Sequence, residues 1–139
     1  MVKVDYRSLV SQADLVYLSP AGQPAEGLPI GNGRMGTLVW TTPSAVCLQI
    51  NRSDVFAANK NHAGSFTGPV DQCWGACAQI AVDVGGQPFA VGEAFGQRLS
   101  LYPAEATTAG EGVGVRCFVW AATDVLALEI DDRRDDPQP

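Results

Sequence analysis

Apolar residues recur along this chain in short runs broken by glycine, proline and small polar residues. In Val46-Cys47-Leu48-Gln49-Ile50 the apolar positions Val46, Leu48 and Ile50 alternate, the period-2 pattern of a strand with one buried face. Arg98-Leu99-Ser100-Leu101-Tyr102 repeats it, with Leu99 and Leu101 on one face. Strands are expected at 15–18, 36–41, 45–51, 78–84, 98–102, 113–121 and 125–130. In the run from Val113, the residues Val115, Cys117 and Val119 share one face, while Phe118 and Trp120 lie on the other with Arg116. A strand apolar on both sides is central or covered on its outer side. Helix is scarce: two turns over 5–13, and one or two over 53–61 after a Ser53 or Asp54 cap. Residues 59–73 read as a loop. The fold class is all-β, an antiparallel β-sandwich with little helix. A segment 1–13 precedes the sandwich at 14–130, and a charged, proline-rich turn or linker occupies 131–139.

Size and charge narrow the functions. The 139 residues make at most one domain. With 46% hydrophobic and 17% charged residues the chain is globular. No apolar run has the length of a membrane-spanning helix. A net charge of −6, with nine scattered lysines and arginines, argues against a nucleic acid or an anionic membrane as partner. Neutral or cationic partners remain open, sugars being the commonest neutral class. The opening Met1-Val2-Lys3-Val4-Asp5 lacks the apolar region of a signal peptide.

Gly31-Asn32-Gly33-Arg34-Met35-Gly36 fits G-x-G-x-x-G. The dinucleotide-binding form needs a helix N-terminus after the glycines. Here Thr37-Leu38-Val39-Trp40-Thr41-Thr42-Pro43 follows, a strand pattern. The kinase form needs a lysine on a later strand and an H-R-D segment, and both are missing. A tight turn in which Gly33 or Asn32 takes positive φ is the better reading. It leaves Arg34 beside the turn without an assigned role. No nucleotide or other cofactor is expected.

Four cysteines occur. Cys47 and Cys117 fall in expected strands as small core residues. Cys73 and Cys77 have C-x3-C spacing. A zinc site there would need His62, the only histidine, and a carboxylate such as Asp71. A Cys73–Cys77 disulfide and free thiols in a packed turn are the other readings, the last being the simplest. His62 alone, in a polar loop, is more simply solvated than a catalytic base. Glu93, Glu105 and Glu111 lie in turn-like segments, and nothing pairs two carboxyls as glycoside cleavage requires. Asp131, Asp132, Asp135 and Asp136 read as a solvated cluster. No catalytic centre emerges. Trp40 and Trp120 are read as core or interface, and Trp74 as the ring most open to solvent.

The segment Leu28-Pro29-Ile30-Gly31-Asn32-Gly33-Arg34-Met35-Gly36-Thr37-Leu38-Val39-Trp40 resembles the N-terminal region of alpha-L-fucosidase-type glycoside hydrolases (family ninety-five) and their relatives. Leu48-Gln49-Ile50-Asn51-Arg52-Ser53-Asp54-Val55-Phe56, Gln97-Arg98-Leu99-Ser100-Leu101-Tyr102 and Phe118-Val119-Trp120-Ala121-Ala122-Thr123-Asp124-Val125-Leu126-Ala127-Leu128-Glu129-Ile130 resemble later segments of that family, in order. Cys73-Trp74-Gly75-Ala76-Cys77 is similar to a turn in one branch. The resemblance implies part of a β-supersandwich about twice this length. That domain packs on a downstream (α/α)₆ barrel holding the general acid and base. It implies a non-catalytic module whose partner is that barrel, in a periplasmic or secreted enzyme. The residues expected at the substrate or domain interface are Asn32, Arg34, Asn51 and Trp74. Three other readings stay open: a stand-alone oligosaccharide-binding sandwich, a self-associating structural domain, and a zinc-bound domain through Cys73, Cys77 and His62.

Overall fold

The computed structural model describes residues 3–55 and 77–135. Among them are nine strands, all paired antiparallel: β1 Leu15–Tyr17, β2 Leu28–Gly31, β3 Met35–Thr41, β4 Ala45–Arg52, β5 Ala78–Asp83, β6 Gly96–Ser100, β7 Glu105–Gly110, β8 Val113–Val119 and β9 Leu126–Asp132. They form two sheets, β1-β6-β7-β8-β9 and β2-β3-β4-β5. The fold is all-β, as the alternation predicts. Among the described residues helix is limited to α1, Tyr6–Ser11, and a 3-10 turn at Pro24–Glu26. Asp5 caps α1 by accepting from the Ser8 amide at 3.2 Å. The expected helix over 53–61 and the loop over 59–73 fall largely or wholly outside the described residues.

Alternation places the core between the sheets. Met35, Thr37, Val39 and Thr41 of β3 point inward, and register sets them against Arg52, Ile50, Leu48 and Val46 of β4. Val113, Val115, Cys117 and Val119 supply the facing row from β8. Phe89, in the β5–β6 connection, is fully buried among them. Cys47 and Cys117 are buried as expected, and burial raises both thiol pKa values, that of Cys117 to about 11.

Two strands are absent from the sequence reading. β2 contains Pro29, opposite Leu38. A proline is tolerated there because β2 is an edge strand, and its missing N–H breaks no ladder. β7 reads Glu-Ala-Thr-Thr-Ala-Gly and lacks any large apolar residue. Its inward Ala106 and Thr108 are buried nonetheless, and their small size suits the crossing of β2 over β6, β7 and β8. Glu105 accordingly lies in a strand and not in a turn, bonded to Arg116 at 2.7 Å.

Two expected strands end two residues early. β6 stops at Ser100 and not at Tyr102. Leu99 is buried but Leu101 turns outward, because Asp14 captures the Leu101 amide at 2.8 Å and Ala104 takes φ +56° in the turn that follows. β8 stops at Val119, and Trp120 stands 57% exposed. Phe118 is covered on its outer side by its own neighbour, the Arg116 guanidinium lying 5.2 Å from the ring centroid.

At the other end β9 continues past Ile130 into the charged segment. There Arg134 bonds the Gly85 and Val84 carbonyls and Asp132, tying the tail to the β5–β6 turn. The margins of the sandwich are open. Ile80, Leu15 and Ile130 share faces with the buried Leu48, Leu99 and Val115, yet each keeps more than a third of its surface exposed.

Candidate functional site

The β2–β3 hairpin turns through Asn32, Gly33 and Arg34. Asn32 organises it: its Oδ1 accepts from the Arg34 amide at 3.0 Å and the Met35 amide at 2.8 Å. This is an Asx turn, a side chain standing in for backbone. Gly33 carries the positive φ of the turn, at +89°. A Cβ on Gly31 would come within 2.7 Å of the Met35 carbonyl, so the close return of the chain requires glycine there. The other end of the Asn32 amide reaches across the molecule. Its Nδ2 donates to the Trp120 and Thr123 carbonyls, each at 3.1 Å, and to Asp124 Oδ1 at 3.4 Å. One side chain thus ties the hairpin of the four-stranded sheet to the β8–β9 turn of the other.

Asp124 is the second hub. Its Oδ2 pairs with Arg34 Nε at 3.1 Å and Arg52 Nη1 at 3.3 Å, while the carboxylate stays only 18% exposed. Arg52 also forks onto Asp54, Nε to Oδ1 at 2.9 Å and Nη2 to Oδ2 at 2.8 Å. That bond holds the Asp54 carboxyl below the ordinary carboxylate range and raises the guanidinium of Arg52. The Ser53 amide donates to the Arg34 carbonyl at 2.9 Å, locking the end of β4 to the hairpin. Three segments of the sequence, 31–36, 51–54 and 120–124, therefore meet in one network.

Beside this network lies an open hollow of about 410 Å³ over the outer face of β3 and β4. Arg34, Arg52, Asn51, Gly31 and Gly36 are among the residues that line it. Asn32, Arg34 and Asn51 are thus brought together, Asn32 as the scaffold and Arg34 and Asn51 at the surface. Trp74 lies outside the described residues, as do Cys73 and His62 of the zinc reading. Cys77 is described and exposed, its amide bonded to the Ile50 carbonyl at 2.9 Å.

Arg52, Asp54 and Gln49 are site residues that the sequence reading did not single out. The Arg-x-Asp spacing of 52–54 was the available signal. Asp124 was visible only as the aspartate before a strand. The network's chemistry is that of a scaffold. Every described carboxylate with a displaced pKa (Asp14, Asp54, Asp132) is displaced downward by amide or guanidinium donors, the opposite of what a general acid requires.

Residues 15–79 match the family model described as glycosyl hydrolase family 65, N-terminal domain. The match runs from β1 to the first residues of β5, and includes Asn32, Arg34, Asn51, Arg52 and Asp54. It supports a glycoside hydrolase N-terminal domain, the coarser part of the resemblance drawn from the motifs. No curated protein matches the chain.

Proposed function

We propose that this chain is a non-catalytic N-terminal β-sandwich module of a glycoside hydrolase, packing on and supporting a downstream (α/α)₆ catalytic barrel of the alpha-L-fucosidase-like kind. The observation that carries the proposal is the convergence of the motif segments on the Asn32–Asp124–Arg52 network, in a chain whose residues 15–79 match a glycosyl hydrolase N-terminal domain. A catalytic centre is normally organised around groups whose pKa is tuned for proton transfer. Here the same kind of side-chain cluster is spent on fixing the shape of one end of the sandwich.

The outer face of β3 and β4 is the surface proposed to meet the barrel. It presents Leu38 and Trp40, both half-buried, with Pro29 beside Leu38, and the Arg34–Asn51 hollow at one end. Apolar residues rimmed by planar polar groups are the composition of an interdomain contact. The open margins at Ile80 and Ile130 fit a sandwich completed by further strands of a supersandwich.

The test is Leu38→Lys in the polypeptide encoded by the complete reading frame and in the present chain. The proposal expects faster heat inactivation of glycosidase activity in the former and an unchanged melting temperature in the latter. Equal inactivation of the long polypeptide with and without the substitution would remove this face from the interface.

A further inference from the structure

We infer that the hollow over Gly36 is a seat for one neutral sugar ring, held by Asn51, Gln49 and Arg34. This deepens the preceding reading by giving its exposed polar end a ligand class.

The inference starts from Gly36. It lies inside β3, on the outer face, registered against Asn51 on one side and Gly31 on the other. Glycine inside a strand weakens it, and where a glycine stands there the usual reason is a bulge, a tight bend or the close approach of another group. β3 pairs in unbroken register from Met35 to Thr41, so no bulge explains it. Sterics do not demand it either. Among the described residues, a Cβ on Gly36 would meet only the Ile30 carbonyl, at an ordinary 3.5 Å. Gly31, its neighbour across the ladder, differs, since a Cβ there collides with backbone. A side chain on Gly36 would extend into the hollow that Gly36 lines.

The walls give the chemistry. Asn51 and Gln49 are planar amides that both donate and accept, as sugar hydroxyls do. Gln49 Oε1 accepts from Gln79 Nε2 at 3.0 Å, and the Gln49 amide nitrogen is its donor end. Arg34, 62% exposed, binds Asp124 through Nε and lines the hollow with a planar fork. Formal charge cancels: Arg34 and Arg52 stand against Asp54 and Asp124. An anion site would keep uncompensated cationic charge, so phosphate and uronates fit poorly while a neutral polyol fits well.

The experiment is an amide NMR titration of the isotopically labelled chain. The probes are methyl α-L-fucopyranoside and methyl β-D-glucopyranoside, with glucuronate and inorganic phosphate as charged controls. At least one neutral glycoside is expected to move the Gly36 backbone and Asn51 side-chain signals, saturating at roughly millimolar concentration, while the charged probes do not. Gly36→Val extends a side chain that strands favour into the hollow. It should keep a dispersed spectrum and lose the response. Asn51→Ala should weaken binding about fivefold or more, and decides the matter should the valine variant not fold. No response at Gly36 and Asn51, an equal response to the charged probes, or undiminished binding by the variants overturns the inference. That result leaves the support of a downstream barrel untouched, because the latter is read by inactivation of the longer polypeptide and not by sugar binding.

Discussion

Asn32 and Gln97 make opposite predictions from similar chemistry. Asn32 uses both ends of its amide, accepting two backbone amides and donating to the 120–124 turn. Removing it frees several backbone groups at once. Asn32→Ala is expected to cost about 2–3 kcal/mol, read by chemical denaturation. Gln97 is buried inside the sandwich with Nε2 on the Val39 carbonyl at 3.3 Å and no partner among the described residues for Oε1. A buried acceptor left without a bond is a standing cost, so Gln97→Met, similar in shape, should raise stability by about 1 kcal/mol. A loss instead would show that Gln97 has a bound water or another partner. The sequence made half of this visible. The I-G-N-G-R-M-G segment announced a turn at Asn32 and marked Arg34, because Asx and glycine chemistry is local. The Trp120 and Thr123 carbonyls lie 88 and 91 positions away, and no local pattern predicts such partners.

Elements are legible where short apolar runs stop at turn residues. β4, with Val46, Leu48 and Ile50 in alternation, is found nearly whole, as are β3, β5 and β8. β2 and β7 were missed for physical reasons: one is four residues long with a proline, the other is buried through small side chains. Tertiary pairing, not propensity, makes both of them strands. The boundary at Leu101 shows the same override, where an apparent third period of alternation yields to a capture by Asp14. That aspartate, just before β1, accepts the Leu101 amide and the Arg98 guanidinium, Nη2 at 2.7 Å, so it ties β1 to the end of β6. The Leu101 amide and then Arg98 hold its pKa below the ordinary 3.8. A carboxyl depressed in the fold stabilises fully above its unfolded pKa and loses that contribution as pH falls through the folded value. Asp14→Asn should therefore be less stable than the parent at neutral pH by a constant margin, which narrows only below about pH 4. Denaturation midpoints measured from pH 7 to 3 check this, and a margin that grows on acidification would refute the sign.

At the scale of the whole molecule, the all-β class followed from strand rhythm, and the sandwich from the family resemblance that the strand count suited. The assembly of one network from residues 31–36, 51–54 and 120–124 did not, because it depends on how two sheets cross. The network's carboxylates are committed to arginines, and the inner faces at Ile80, Leu15 and Ile130 remain partly open. Both features suit a module that shapes and supports a neighbour. The most direct test of that claim compares turnover of aryl glycosides, with the fucoside included, by this chain and by the polypeptide encoded by its complete reading frame. The account predicts no hydrolysis above background by the chain and measurable hydrolysis by the longer polypeptide. Hydrolysis by the chain of 139 residues itself would contradict it.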